Sequence, residues 1–378
     1  MQGRSLSSRI FLPALPAIAL GVLAATGAHA AESASTFDRI WSAATLVGDR
    51  GAGDYPVLKL RGRYQGQGFI IDAGDEGDDD GFQTRRLRLG MDAYWNADIK
   101  LSFDLNLSAD SAEPFVKDFD YLTVDWQMTP QTKFTVGKLR RPKLTAEDGT
   151  SSNSIVTVER SLAAQSVGVD NLGGIAVQHK YDGWDLAASI LSGGLDDDLV
   201  LPDGEGGLGY QINIGNRLGA NSRFRIDYLN TENDEDNVAF AGFRHTLSVN
   251  TDSQWGRWGL VTDLILAEPH RDGRGDLIGV VLLPTVKLQP KLLGVLRYTF
   301  LRSGQEDGVR LASRYERRAD NLVDERGQQY QALYAGLNYY IYGQKLKVMF
   351  GAEYAQLTRG EQGRFEGVTG LGAFRVYF

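Results

Sequence analysis

The chain has 378 residues and a formal charge of −8 at pH 7, from 40 Lys and Arg against 48 Asp and Glu. It contains no cysteine, which excludes disulfides, thiolate metal sites and thiol nucleophiles. Glycine is abundant at 45 and aromatics make up 10 %, yet beyond the amino terminus no stretch approaches the ~20 apolar residues of a membrane-crossing helix.

A short basic region (Arg4, Arg9) opens the chain, and an apolar run from Ile10 to Ala25 follows, interrupted by Pro13 and Pro16. Ala28, His29 and Ala30 give a small-x-small cleavage pattern, so residues 1–30 read as a secretory signal peptide. Losing its two arginines takes the charge from −8 to −10. An exported chain without a helical span is periplasmic, secreted or an outer-membrane barrel. In a barrel only alternate residues face lipid, so mean hydropathy stays low, and here it is −0.26.

Residues 31–55 have room for one short helix, capped by Ser35 or Thr36, with Phe37, Ile40, Trp41 and Ala44 on one face. From residue 56 to 378 the pattern has period two. Leu58, Leu60, Gly62, Tyr64 and Gly66 alternate with Lys59, Arg61, Arg63, Gln65 and Gln67. Leu87, Leu89, Met91, Ala93 and Trp95 alternate with Arg86, Arg88, Gly90, Asp92 and Tyr94. Ile99, Leu101, Phe103, Leu105 and Leu107 alternate with Lys100, Ser102, Asp104, Asn106 and Ser108. Each run has about the ten residues of a tilted membrane strand. Further runs start near Asp120, Lys133, Gly174, Trp184, Gly209, Ser222, Ala239, Trp258, Asp276, Lys291, Tyr330, Gln344 and Gly370, giving about sixteen, an even number as bacterial barrels require. The runs at Gly174 and Ala239 have a ragged apolar face. The last ends in Phe374, Val376 and Phe378 and would close the barrel against the first.

Connections alternate in length. Short ones fall near 96–98, 129–131, 181–183, 289–290 and 343–344; longer ones span roughly 72–83, 109–118, 138–173, 192–208, 230–238, 267–275, 302–329 and 358–369. Short periplasmic turns and long external loops are sorted this way in outer-membrane barrels, whereas a soluble sandwich has no reason to sort them. The connection between the runs at Lys133 and Gly174 is the outlier, at about 35 residues. It is dense in cations (Lys138, Arg140, Arg141, Lys143, Arg160) and hydroxyls (Thr150, Ser151, Ser152, Ser154), and Pro142 stiffens its start. Such a segment is either a solvated excursion or a loop folded into the barrel to narrow it.

Four stretches resemble the phosphate-selective porin family of outer-membrane channels. They are TRRLRLG (Thr84 to Gly90), VGKLRRP with TSSNSIVTVERS, YAGLNYYIYGQKLKVMFGAEY (Tyr334 to Tyr354) and the closing FRVYF. The resemblance implies an all-β fold: an antiparallel transmembrane barrel of sixteen strands, assembled as a homotrimer, with the third external loop turned inward as a constriction. It implies passage of phosphate or similar anions along a row of arginines, with no cofactor. Strongly phosphate-selective members add a lysine cluster near the pore, which this chain lacks, and Lys143 stands where an aromatic is usual.

With the apolar face on lipid, strand parity turns Arg61, Arg63, Arg86 and Arg88 into the lumen. Lys59, Lys100, Arg223, Arg225, Arg297, Lys345, Lys347 and Arg375 share that parity. The resemblance adds Lys138, Arg140, Arg141, Lys143 and Arg160 at the waist. Rings of Arg and Lys line anion pores, but the same cations could pair with wall acids (Asp92, Asp104, Asp227, Asp263, Glu353) and merely brace the lumen. A structural or loop-plugged barrel therefore remains the alternative to a passive channel for small anionic solutes. An outer-membrane hydrolase built on His270 and Glu268 lacks a nucleophile with its base. Aspartate runs at 75–80, 196–198 and 234–236 match no calcium-loop spacing and read as solvated charge. Nothing in the sequence calls for a nucleic-acid partner.

Overall fold

The computed structural model describes residues 35–192, 207–232, 240–270 and 275–378. The leader and the aspartate runs at 196–198 and 234–236 lie outside the described residues. The chain divides into a unit up to Trp41 and a second unit, Ser42–Phe378. Helix α1 (Thr36–Ser42) starts in the first at a reciprocal cap, where Asp38 N donates to Ser35 Oγ (3.1 Å) and Ser35 N to Asp38 Oδ2 (3.1 Å), and its last residue is the first of the second unit.

The second unit is an antiparallel sheet that closes on itself. In chain order it contains β1 (Thr45–Asp49), β2 (Asp54–Asp72), β3 (Asp78–Tyr94), β4 (Ile99–Leu107), β5 (Val116–Gln127), β6 (Thr132–Lys138) and β7 (Gly173–Tyr181). Then come β8 (Trp184–Ser192), β9 (Leu208–Leu218), β10 (Ser222–Thr231), β11 (Phe243–Trp255), β12 (Trp258–Pro269), β13 (Leu277–Gln289) and β14 (Leu292–Ser303). A two-residue ladder of β15 (Val309–Arg310) and β16 (Arg326–Gly327) precedes β17 (Gln329–Tyr342), β18 (Leu346–Arg359) and β19 (Gln362–Tyr377). Strands β2–β14 and β17–β19 form a closed barrel of 16 strands. Closure is the β19–β2 ladder, from Tyr377 opposite Arg63 to Val368 opposite Asp72. The sheet begins earlier than residue 56, because β1 pairs with the start of β2, an edge that β19 does not reach.

Period-two alternation decides which side is which. Leu264 and Leu266 of β12 are exposed on the outside while Ile265 between them is buried, and in β17 Leu333 and Leu337 are exposed while Tyr334 is buried. With lipid outside, every backbone polar group must be satisfied within the ladder, and a closed barrel does this. Trp126, Trp184, Trp255 and Trp258 are exposed beside the short turns, as an interfacial girdle.

Two loop lengths differ from expectation. The connection read at 358–369 is a two-residue turn, since Gly360 takes a left-handed φ of 58° and Arg359 pairs with Gln362. That at 72–83 is only 73–77, because β2 and β3 continue to Asp72 and Asp78. In β3 a bulge inserts Arg85: Gln65 pairs with Arg86, but Gly66 pairs with Thr84.

Candidate functional site

The third external loop, residues 139–172, is folded inside the barrel. Its neck is closed by Leu139 N donating to Leu172 O (2.7 Å). From there the irregular backbone crosses the lumen, and its carbonyls, which no ladder satisfies, are met by side chains of the inner wall. Gln211 and Asn213 of β9 donate to Lys143 O (both 2.9 Å), and Arg225 of β10 donates to Thr145 O (2.8 Å). Ala146 N donates to Asp263 of β12 (2.6 Å). Arg297 of β14 donates to Glu159 O (2.8 Å), Asn338 of β17 to Val156 O (2.7 Å) and Lys347 of β18 to Ile155 O (2.9 Å). Arg375 of β19 reaches Ser152 O (2.9 Å) and Val158 O, and on β2 Arg63 donates to Ser152 Oγ (2.8 Å). The loop is thus sewn to strands around most of the circumference.

On its way out the loop forms helix α2 (Leu162–Val167), whose Ser161 cap accepts from Ala164 N (3.2 Å). Leu162, Ala163 and Val167 pack into a buried cluster with Ile265, Leu277, Val281 and Leu301 of β12–β14. The inner face of that wall is apolar, so the helix seals against it.

A second loop, residues 304–328, folds onto the same side, where simple external exposure was expected. Its Leu311, Ala312, Tyr315 and Ala319 join the cluster. Tyr315 donates to Glu353 Oε1 (2.8 Å), while Glu316 accepts from Tyr330 (2.6 Å) and Ala312 N (2.6 Å). Burial, together with the nearby Glu353 charge, pushes Glu316 up to about 8. Arg297 sits between the loops, donating to Glu353 Oε2 (2.6 Å) and Glu147 Oε1 (3.2 Å).

The nine cations singled out from the sequence fall into three groups. Arg61 is bound by Asp92 (2.8 Å) and Asp104 (2.7 Å), Arg88 by Asp120, and Arg141 by Asp148 (3.1 Å). Among the described residues, Arg63, Arg86 and Arg140 have no carboxylate partner; neutral groups hold them. Arg63 is on the Ser152 hydroxyl, Arg86 on Gln65 Oε1 (2.9 Å), and Arg140 on the Tyr121 hydroxyl (2.6 Å), 4.1 Å from that ring's centroid. Lys143 is exposed at the start of the loop, likewise without a carboxylate among the described residues.

The remaining two do not line a passage. Arg160 is buried inside the loop, donating to Glu147 O (3.0 Å) and Thr150 O (2.9 Å) with Asp148 at 3.6 Å; it holds the loop's own shape. Lys138 closes β6 opposite Leu122, in the outward register of Phe134 and Val136, so parity carries it away from the lumen.

Four contributors escaped the sequence reading. Arg85 faces inward beside Arg86 because of the bulge, and Arg314 comes from the loop taken as external. Tyr121 and Glu159 gave no signal beyond their place in a strand and in the loop. Glu159 accepts from Arg85 (2.7 Å) and Gln67 (2.9 Å) and has Arg314 at 3.5 Å. Burial opposes its charge, but Arg85 and Arg314 outweigh that and hold it down at about 2. No group of His, Asp and Glu among the described residues is arranged to hold a metal. His270 is bonded to Thr231 (2.6 Å).

The model of the family "Phosphate-selective porin O and P" matches residues 58–200, which bears out the resemblance over its first two stretches, TRRLRLG and the loop segment from VGKLRRP to TSSNSIVTVERS. No curated protein matches the chain. Its fold is shared with outer-membrane porins. The anion-selective porin from Comamonas acidovorans superposes with a TM-score of 0.58 at 11 % identity, covering 85 % of this chain and 99 % of that one. The in-vitro folded OmpT of Vibrio cholerae in its trimer form gives 0.55 at 13 %, covering 86 % and 100 %. The outer-membrane channel DcaP of Acinetobacter baumannii gives 0.53 at 13 %, covering 87 % and 100 %. The family match covers the first part of the barrel, and the solved structures show that the whole barrel has the fold of outer-membrane porins.

Proposed function

We propose that this chain, a member of the phosphate-selective porin family through its residues 58–200, is a passive diffusion channel that prefers small anions of the phosphate class. The observation that carries this reading is the set Arg63, Arg86 and Arg140, held by a hydroxyl, an amide and a phenol rather than by carboxylates. A guanidinium anchored by a neutral group keeps its whole charge for a passing solute, and guanidinium geometry suits phosphate. The chain reaches the outer membrane through its leader and assembles as a homotrimer, as the trimer form of the structurally similar Vibrio protein suggests.

A second reading follows from Arg61, Arg88, Arg225 and Arg297, which are all ion-paired. In that reading the barrel is braced and closed by its loops. Reversal potential in a planar bilayer under a potassium chloride gradient separates the two. Anion preference that falls in Arg63→Gln/Arg140→Gln supports the channel. Cation preference in the wild type refutes it, and absence of conductance favours the braced barrel.

A further inference from the structure

Around Glu159 the charges do not balance. Its carboxylate is 5 % exposed and takes Arg85 from β3, with Arg314 from the loop 304–328 close by. Arg86 and Arg375 on the wall lie within its field. Arg160 is also near, with Asp148 shared between it and Arg141, and Glu147 is committed to Arg297 and Ser161. Among the described residues, four guanidiniums (Arg85, Arg86, Arg314, Arg375) therefore share one carboxylate. Two of them reach the lumen, since the Arg85 and Arg314 side chains are 17 % and 31 % exposed.

A cluster of bare guanidiniums would trap a multivalent anion, whereas conduction requires that a bound ion leave again. We propose that Glu159 is a specificity-determining residue: its carboxylate serves the arginine cluster as a built-in counter-anion and sets how tightly a passing anion is held. This rests on the anion-preferring reading above. Because Glu159 stays ionised down to about pH 2, the damping is permanent rather than switched by pH. Its position also couples the two inner loops, since the same oxygen that accepts from Arg85 faces Arg314.

The test is inorganic phosphate block of chloride current through single channels of wild type, Glu159→Gln and Arg314→Gln. Glu159→Gln preserves shape and removes the charge. Phosphate should then block at several-fold lower concentration, and potassium chloride conductance should saturate earlier. Arg314→Gln should shift the block the other way, and the double variant should return towards wild type, which a merely structural role would not produce. An anion-preferring wild type whose block is unmoved by Glu159→Gln overturns this inference and leaves the proposed channel intact. A cation-preferring wild type overturns both. If Glu159→Gln loses the heat-modifiable barrel, an unchanged block in Arg314→Gln still overturns the inference.

Discussion

Along β2 and β3 the inner wall carries Arg61, Arg63, Arg86 and Arg88, all partly exposed. Along β12–β14, β17 and β18 it carries Ile265, Leu277, Val281, Leu301, Tyr330 and Met349, buried beneath the two inner loops. One half of the barrel interior is thus built like the core of a soluble protein and the other like a wet surface. The apolar half fixes the loops by excluding water. The basic half then keeps a cross-section in which charge is available to a solute. A barrel filled evenly by polar groups would have neither a rigid constriction nor a free one.

Cutting away the part of the loop that crosses the lumen should have the largest effect. Deleting Lys143 to Ser154 takes away the carbonyls that Arg225, Gln211 and Arg375 hold, along with the bar across the lumen. Those side chains then meet water, so the barrel ladder survives. Single-channel conductance is expected to rise several-fold, with the heat-modifiable barrel retained. Unchanged conductance would remove this loop from the pore.

Next in size is a pair of substitutions that put the same question to each wall. Arg297 is 2 % exposed between Glu353 and Glu147. Arg297→Met leaves two buried carboxylates without their cation and is expected to cost about 3–5 kcal/mol. Lys100 on the open wall pairs with Asp125 (3.0 Å), which also keeps Lys133 and Thr135. Lys100→Met should cost under about 1 kcal/mol. Urea unfolding in detergent measures both, and equal costs would erase the distinction between the walls.

This division was only half legible in the sequence. The strands were, because lipid on one side imposes strict alternation, and the run from Leu58 to Gln67 lies wholly within β2. Arg61, Arg63 and Arg88 stand on the side that parity gives them, where they meet Asp104, Ser152 and Asp120. What alternation cannot report is an inner face that is itself apolar: β13 reads LIGVVLLPTV, apolar on both sides, and nothing local says that a helix 110 residues earlier covers it. The bulge at Arg85 breaks parity by one residue without a marker in the chain. Loop 304–328 is rich in charge, so it reads as solvated, although Leu311, Ala312, Tyr315 and Ala319 are the residues that dock.

A smaller effect is expected from pH at the dry wall. Burial and the Glu353 charge raise Glu316 from the ordinary 4.5 to about 8, so the docked loop retains a proton that the undocked one has released. Docking is therefore fully favoured below about pH 4.5 and weakens as pH rises through 8. Glu353 of β18, Arg297 of β14, Tyr330 of β17 and its own Tyr315 are the groups that face it. Amide hydrogen exchange over residues 311–319, corrected for the intrinsic pH dependence, should show protection falling between pH 5 and 9. Glu316→Gln should flatten that fall. A slope equally steep in the variant would assign it to another group.

The smallest effect sharpens the comparison from outside the lumen. Lys138 belongs by sequence to the same basic run as Arg140 and Arg141, and proximity alone would give all three a share of the pore field. Register separates them: Lys138 stands opposite Leu122, with Phe134 and Val136 on its face, whereas Arg140 lies beyond the end of β6 and turns to the Tyr121 hydroxyl. Tyr121 is itself buried on the inner side, opposite Asp104. A charge on the outer face is separated from the waist by the wall and is screened by the headgroup water it reaches through its long stem. Lys138→Ala should therefore leave the reversal potential unchanged, while Arg140→Ala lowers anion preference. If both substitutions shift the potential alike, selectivity follows the net charge of the segment and not the side of the sheet on which each cation stands.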